Sequence, residues 1–348
     1  MFSRSTGLLS LEFHPYRLEF RTPWPNLDAP YRKGWLVRAR RGKEAGWGEC
    51  APLPSAGTEE PSRARRALER VCGRAWETEA LLAHLQTLAG RAPAAACALE
   101  TALLDLEGRR RGLPLRRLLA AGAADAITVN AMAGSACREA TKEAVQAGFP
   151  VVKLKVGQEP PDRELHCLRE LCATLPPEIR LRLDANRAWD PDGASRFLQQ
   201  LEGLPVESLE EPLRDPDPTT LRRLQEATPV ALAVDESLKE LGTESFLKAA
   251  PVRRVVLKPM VHGGPARTME LAQRALGAGL VPLITSTLES AVGLHAACQL
   301  AAALDSLHPG TAHGLATAGW LADDPVIPPR LERGRILLND QPGLGTTP

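Results

Sequence analysis

The chain has 348 residues, of which 24% are charged and 44% hydrophobic, and its formal net charge is +1. This balance gives no indication of nucleic acid as a partner. No apolar run approaches the roughly 18 residues that span a bilayer, and the N-terminus lacks the apolar region of a secretory signal. Seven scattered cysteines form no CxxC pair. We therefore expect a reduced, cytoplasmic protein that does not bind membranes.

The predicted elements change in character along the chain. Residues 11–21 and 34–41 alternate as strands do, and residues 60–120 have the spacing of helices. From residue 127 to about residue 310, strand and helix patterns alternate, which indicates a parallel sheet with crossover helices. We predict an α+β capping domain (1–125), a TIM-type (β/α) barrel (126–314) and a C-terminal segment (315–348) that returns to the capping domain.

Six short, mostly apolar segments of the second region each end in one polar residue. They are VVKLK at Lys155, LRLD at Asp184, VESLE at Glu210, LAVD at Asp235, VVLK at Lys258 and VPLITS at Ser286. These ends recur every 23 to 29 residues, about the length of one β/α unit of a barrel. Since the strands of such a barrel end on one face, we expect the six side chains to surround one cavity.

Three of these strand ends are carboxylates. Asp184, Glu210 and Asp235 have no His or Cys at matching spacing, and such a set of oxygen ligands suits Mg²⁺ first and Mn²⁺ second. Each carboxylate could instead cap the next helix or pair with an arginine. Because the three lie on consecutive predicted strands between two lysine ends, we favour the metal site.

Lys153 and Lys155 flank Leu154, so both lysines should face the interior of the barrel. Two ammonium groups near a dication repel each other, which would lower the pKa of at least one lysine toward that of a general base. The alternative is a solvated lysine pair. With residues 127–134 as the first of eight strands, Lys155 ends the second and Lys258 the sixth, on opposite sides of the ring. This arrangement indicates abstraction of a proton α to a carboxylate, with a metal stabilising the enediolate.

The motifs KLK, LDAN, LEEP, VDES and LKP, which begin at residues 153, 183, 209, 234 and 257, resemble those of the enolase superfamily, muconate-lactonizing branch. The resemblance covers the whole chain. It implies that Asp184, Glu210 and Asp235 bind Mg²⁺ and that Lys155 and Lys258 are the acid/base pair. It also implies substrate or metal contacts by a further set of residues, namely Lys153, Arg182, Asn186 and Ser286. The segment PLPSAGTE, residues 52–59, would form a lid over the barrel.

Within this branch, GWGECAPLP, TSTLESAVGLHAAC and HGLATAGWLADD resemble sequences of enzymes that dehydrate a cyclohexadiene carboxylate in menaquinone biosynthesis. The implied substrate is a small-molecule carboxylate, and the implied reaction is a syn dehydration that yields an aromatic product. An N-acylamino acid racemase stays open, because it would share both lysines and all three ligands. A dipeptide epimerase is disfavoured, since residues 304–315 lack the Asp-x-Asp of those enzymes. A non-catalytic barrel is disfavoured by the intact lysines and carboxylates.

Overall fold

The computed structural model describes residues 7–21, 29–135 and 138–348. The first domain contains an antiparallel sheet in the order β3-β2-β1-β4, covered on one side by helices. Its elements are β1 (Leu9–Glu19), β2 (Tyr31–Arg41), β3 (Glu44–Cys50), α1 (Pro61–Val71), β4 (Ala75–Trp76), α2 (Thr78–Ala89), α3 (Pro93–Arg111) and α4 (Leu115–Leu119). The α+β capping domain is thus present, with its strands and helices close to the predicted positions.

Helix α3 packs directly on strand β3 because that strand presents glycines to it. A Cβ atom on Gly48 would lie 2.0 Å from the Ala98 carbonyl oxygen, and one on Gly46 would lie 2.2 Å from the Leu106 nitrogen. No larger residue fits at this separation without a backbone shift. The close approach buries α3 from Pro93 to Gly108 and makes it the core element of the domain.

The second domain alternates parallel strands with helices. Its strands are β6 (Ala131–Ser135), β7 (Val151–Lys155), β8 (Arg180–Asp184), β9 (Val206–Glu210), β10 (Ala231–Val234), β11 (Arg254–Leu257) and β12 (Val281–Ile284). The helices are α5 (Arg138–Gln146), α6 (Pro161–Cys172), α7 (Pro191–Gln199), α8 (Pro218–Glu226), α9 (Ser237–Leu241), α10 (Thr243–Ala249), α11 (Pro259–His262), α12 (Pro265–Gly277) and α13 (Ala291–Asp305). Strands β7 to β12 are short and mostly buried, as is typical of parallel sheets, whereas β6 at the edge has both buried and exposed residues.

The predicted eight-stranded barrel differs from the observed sheet, which has seven parallel strands within the described residues. The predicted first strand, residues 127–134, divides in two. Its first part is β5 (Ala126–Thr128), which pairs in a separate three-stranded sheet, and only the second part, β6, joins the parallel sheet. Among the residues that the structure describes, this sheet has no full-length strand after β12.

Two residues bridge the open edges of the seven-stranded sheet. His313 forms a parallel bridge with Val129, and Gly314 forms one with Thr285 beyond β12. The imidazole of His313 adds to this link, because its Nδ1 accepts the backbone N–H of Ile284 at 3.0 Å. Its Nε2 is then the protonated nitrogen and donates to Asp305 Oδ1 at 3.1 Å. The His313 imidazole thus bonds to a backbone N–H of β12, a group to which the backbone of an eighth strand would otherwise bond.

The C-terminal residues contact both parts of the chain. Strands β13 (Arg330–Glu332) and β14 (Arg335–Leu337) form the three-stranded sheet with β5. Farther on, the Leu344 N–H donates to Asp105 of α3 at 2.7 Å. The exact domain boundaries at residues 125 and 314 stay a prediction. No helix within these described ranges is both long and apolar enough to cross a membrane.

Candidate active site

The polar residues predicted at the strand ends lie at one edge of the parallel sheet. Lys155, Asp184 and Glu210 are the last residues of β7, β8 and β9 and pair side by side in register. Asp235 and Lys258 directly follow β10 and β11. With Lys153, two residues before the end of β7, these residues form what we call the strand-end ring. Parallel register places these side chains together, and Ser286, the remaining predicted strand end, lies outside this ring beyond β12.

One half of the strand-end ring is a network of two lysines and two carboxylates. The Lys153 ammonium lies 2.9 Å from Asp184 Oδ2 and 2.8 Å from both Glu210 oxygens. The Lys155 ammonium lies 2.6 Å from the same Asp184 oxygen and donates to Asn186 Oδ1 at 2.5 Å. Alternation along β7 therefore directs both lysines to one side of the sheet, as expected.

The other half of the ring is centred on Lys258. Its ammonium lies 2.5 Å from Asp235 Oδ2 and 3.6 Å from Glu236 Oε1. Glu211, which follows the Glu210 strand end, accepts the backbone N–H groups of Asp235 and Ser237 at 2.7 and 2.9 Å. Glu211 thus fixes the backbone directly after β10. Glu236 lies next to the ring, and its position directly after Asp235 in the VDES motif is the sequence signal that indicates this.

The charges of the ring shift its pKa values in directions set by burial and ion pairing. Burial acts to lower the pKa of Lys153, but Asp184 and Glu210 outweigh it and raise that pKa above the ordinary value. The same competition, with Asp235 as the main partner, raises the pKa of Lys258. The facing carboxylates thus favour the ammonium forms of Lys153 and Lys258, and a lysine pKa lowered by a dication stays a prediction.

The carboxylates respond differently to the same environment. Burial acts to raise the pKa of Asp184, but the two neighbouring ammonium groups outweigh it and hold that pKa below its usual value. Burial dominates for Glu210 and Asp235 and raises the pKa of each. Asp184, which faces two lysines, is the carboxylate that the ring keeps charged most strongly.

The residues of the ring fit a divalent cation. The Lys153 ammonium is held between Asp184 and Glu210, so these two carboxylates can share one positive charge. All the acidic groups of the ring are hard oxygen donors, the type that Mg²⁺ prefers. Among the residues that the structure describes, no three acidic, His or Cys side chains are already gathered as a metal cluster. Because a carboxylate has two oxygens and about four acceptor sites, these residues can bond to a lysine and to an ion together.

Three predicted substrate contacts lie in different surroundings. Asn186 belongs to the ring through its bond to Lys155, and its φ of 43° lies in the left-handed region. Arg182 is buried below the ring, where its guanidinium donates to Glu207 Oε1 at 2.5 Å and to the Ala312 carbonyl at 2.6 Å. Ser286 follows β12 and donates to Thr317 Oγ1 at 3.1 Å. The observed contacts of Arg182 support a packing role under the ring, and its substrate contact stays a prediction.

A cavity of about 370 Å³ opens beside the ring, between the two domains. Its lining comes from both domains and consists of Pro54, Ser55, Gly57, Asn186, Arg187, Glu236, Lys239 and Glu240. The Lys239 ammonium donates to the Gly57 carbonyl at 3.0 Å, which ties α9 to the loop of the capping domain. The predicted lid segment thus reaches the mouth of the site. A larger cavity of about 450 Å³, lined by Arg38, Trp47 and Arg109 among others, contains no ring residue.

Two family models match the chain. Residues 136–348 match the model described as enolase C-terminal domain-like, and residues 26–106 match the model described as MenC, N-terminal domain. Among solved structures, a muconate lactonizing enzyme from Pseudomonas fluorescens superposes with a TM-score of 0.86 at 24% identity, over 98% of this chain and 96% of that one. A dipeptide epimerase from Enterococcus faecalis V583 also gives 0.86, at 23% identity over 99% and 100% of the two chains. At these identities the likeness concerns the fold.

Curated relatives are more similar in sequence. A protein of Yersinia enterocolitica named o-succinylbenzoate synthase is 33% identical over 290 residues, which covers 82% of each chain. One of the same name from Klebsiella pneumoniae (strain 342) is 32% identical, over 85% of this chain and 86% of the relative. The capping domain, the parallel sheet and the family matches define an enzyme of the enolase superfamily. Within that class, the chain belongs to the o-succinylbenzoate synthase family.

Proposed function

We propose that this enzyme catalyses the Mg²⁺-dependent syn dehydration of 2-succinyl-6-hydroxy-2,4-cyclohexadiene-1-carboxylate to o-succinylbenzoate, a step of menaquinone biosynthesis. The observation that carries this proposal is the position of the two lysines. Lys155 ends β7 and Lys258 follows β11, four strands farther along the sheet, with the carboxylates on the strands between them. A planar intermediate at this edge would have one ammonium group toward each face.

Asp184, Glu210 and Asp235 would hold the metal ion. When bound, Mg²⁺ supplies positive charge that stabilises the anion formed from the substrate carboxylate. An ion that shared the charge of Asp184 and Glu210 would weaken the effect by which these two carboxylates raise the pKa of Lys153. Mn²⁺ has similar ligand preferences and should substitute.

In the proposed reaction, neutral Lys155 Nζ removes the proton from the carbon α to the carboxylate. The C–H electron pair enters the π system and gives the enediolate. As the C–O bond at the hydroxylated carbon breaks, the proton on Lys155 passes to the departing oxygen on the same face, so the oxygen leaves as water. Lys258 stays protonated on the opposite face, where its charge stabilises the intermediate. The product has lost one water molecule and is aromatic. No external oxidant or reductant takes part.

Recognition of the rest of the substrate is assigned to residues around the ring. Lys153 and Asn186 would contact the carboxylate end, and Ser286 with the capping-domain loop would contact the succinyl chain. A substrate contact by Arg182 would require its buried guanidinium to reach the ring from below, beyond its bonds to Glu207 and the Ala312 carbonyl. We also propose that the bridges at His313 and Gly314 close the seven strands into a barrel. A cytoplasmic location and the division into domains at residues 125 and 314 complete the proposal.

A substrate panel tests this assignment against the alternatives. Purified enzyme with Mg²⁺ is incubated with the cyclohexadiene substrate and, separately, with N-succinyl amino acids and dipeptides. We expect efficient loss of water from the cyclohexadiene, with the aromatic product detected by its absorbance. Faster racemisation of N-succinyl amino acids would favour the racemase function, and faster epimerisation of dipeptides would favour the epimerase function. Absence of turnover with all three classes would favour a non-catalytic protein.

A further inference from the structure

Strand β2 of the capping domain contributes a buried arginine that bridges the two domains. Arg32 is only 4% exposed. Its guanidinium donates to four backbone carbonyl oxygens, two from each domain: Ala51 at 2.7 Å, Pro52 at 2.9 Å, Thr287 at 3.1 Å and Leu288 at 3.0 Å. These four hydrogen bonds use four of the five N–H donors of the planar guanidinium.

These carbonyls belong to the two loops that border the site. The first loop, residues 51–59 and here called the capping loop, continues from Pro52 to Pro54, Ser55 and Gly57, which line the mouth cavity. The second loop, residues 285–290 and here called the β12 loop, leaves the sheet at the edge that carries the ring. It includes Ser286, our candidate for contact with the distal part of the substrate. The Arg32 guanidinium therefore sets the distance between the capping loop and the β12 loop.

The geometry of the β12 loop requires such support. Leu288 has a φ of 61°, a left-handed conformation that costs energy for a residue with a branched side chain. The bond from Arg32 Nε to the Leu288 carbonyl holds the residue in that conformation. A lysine could not replace this contact, because a single ammonium point charge cannot span four carbonyls that lie in a fork.

A second residue of the same sheet holds the far end of the β12 loop. Glu49 of β3 accepts the Ser290 N–H at 2.8 Å, the Ser290 hydroxyl at 2.5 Å and the Gly293 N–H at 2.8 Å. Tyr16 donates a hydrogen bond to the same carboxylate. The capping sheet thus bonds to the β12 loop at its middle, through Arg32, and at the start of α13, through Glu49.

We propose that Arg32 is a positioning residue that sets substrate affinity by holding the capping loop and the β12 loop at a fixed distance. The inference rests on the proposed function for its kinetic consequence. Arg32 contacts neither lysine of the ring through the bonds described, so its loss should disturb recognition of the distal part of the substrate more than proton abstraction. A misplacement of a supporting group by about 1 Å can cost up to about 100-fold in rate at limiting substrate.

The test compares Arg32→Met, which keeps the apolar stem, with Arg32→Lys, which keeps the charge. Arg40→Met is the matched control, since Arg40 is an exposed arginine on the same strand. Steady-state kinetics with the cyclohexadiene substrate give KM and kcat. We expect KM to rise about 10- to 100-fold in Arg32→Met and less in Arg32→Lys, with kcat within about threefold of the wild type. Arg40→Met should match the wild type.

Amide hydrogen exchange gives a readout that does not depend on the reaction. Peptides that cover residues 51–58 and 286–290 should exchange faster in the Arg32 variants, while peptides from α6 should not change. If Arg32→Met does not fold, Arg32→Lys decides the question by the same two readouts. An unchanged KM with unchanged exchange in a folded variant would overturn the proposal, as would a loss confined to kcat. If the wild type does not dehydrate the substrate, the proposed function fails, and the exchange result alone decides whether Arg32 fixes the loops.

Discussion

Each charged residue of the strand-end ring is compensated by a neighbour of opposite charge. Lys153 lies between Asp184 and Glu210, and Lys258 pairs with Asp235. Removing one member of a buried ion pair leaves an uncompensated charge, which is costly unless a cation or proton replaces it. The lysines therefore compensate the carboxylate charges of the ring, and a cation bound at the same carboxylates would do so as well.

Neutral isosteres of the three carboxylates should abolish metal binding. We expect Asp184→Asn, Glu210→Gln and Asp235→Asn each to lose measurable Mg²⁺ affinity in calorimetric titration and to lose activity, because an amide gives no charge to the ion. Far-UV circular dichroism should stay that of the wild type. Asp192→Asn, an exposed position at the start of α7, is the control. Wild-type affinity in all three variants would disprove the ligand assignment.

Replacement of the two proposed catalytic lysines should impair chemistry strongly. General acid–base catalysis contributes about 10² to 10⁴ in rate, and one group that stabilises developing charge contributes about 10² to 10³. Lys155→Ala, which removes the base, and Lys258→Ala, which removes the stabilising charge, should therefore each lose at least about 100-fold in kcat. Lys153→Ala should lose less, since we assign it to charge and contact. Lys142→Ala, on the exposed face of α5, should leave turnover unchanged. Near-normal turnover of Lys155→Ala would exclude it as the base.

At the scale of elements, a buried strand that ends in a polar residue was predictable, whereas closure of the sheet was not. The strands β7 to β11 end at or just before the expected residues because each apolar run is as long as one buried strand. The run at residues 127–134 looks equally regular, but the chain enters a different sheet before Asn130 and the parallel sheet after it. Local pattern does not encode which sheet a strand joins.

The contact between α3 and β3 should not tolerate a side chain at Gly48. An alanine there would place its Cβ against the Ala98 carbonyl, so we expect Gly48→Ala to lower the free energy of unfolding by about 1 to 3 kcal/mol or more. Gly277→Ala at the end of α12, where no atom lies within 4 Å of the added Cβ, should be neutral or stabilising. Urea denaturation measures both. Equal stability of Gly48→Ala and wild type would contradict the close packing.

The start of α12 is capped by a buried acid that should make stability depend on pH. Glu100 accepts the Ala266 N–H at 2.8 Å, and burial raises its pKa from 4.5 to about 7 against the opposing effect of that bond and of Arg267. Between these values the folded state holds a proton that the unfolded state has released. The free energy of unfolding should therefore fall as pH rises from about 4.5 to about 7, on the order of 3 kcal/mol for this group, and then level off.

Glu100→Gln should remove that part of the pH dependence, since an amide does not titrate yet can still accept the Ala266 N–H. Urea denaturation at pH 5 and pH 7.5 compares the variant with the wild type and with Glu79→Gln, an exposed site on α2. We expect the free energy of unfolding to differ less between pH 5 and pH 7.5 in Glu100→Gln than in the wild type or in Glu79→Gln. The same difference in all three proteins would show that Glu100 releases its proton in the folded and unfolded states alike.

At the scale of the whole molecule, the strand-end ring belongs to the second domain, whereas the two loops that Arg32 holds come one from each domain. The ring was predictable because its members are side chains at a regular spacing. The bridge by Arg32 was not, because its acceptors are backbone carbonyls, two of them more than 250 residues away along the chain. No residue type marks such an acceptor in a sequence, so this part of the site depends on the three-dimensional arrangement of both domains.

The central claim is a metal-assisted dehydration at the strand-end ring, and the dependence of product formation on a divalent cation tests it most directly. Enzyme treated with a chelator and then freed of it is mixed with the cyclohexadiene substrate, and aromatic product is followed by absorbance with and without added Mg²⁺. We predict no enzymatic product before addition and full activity after it, and no recovery in Asp184→Asn. Equal rates without divalent cation, or no product with Mg²⁺ present, would contradict the account.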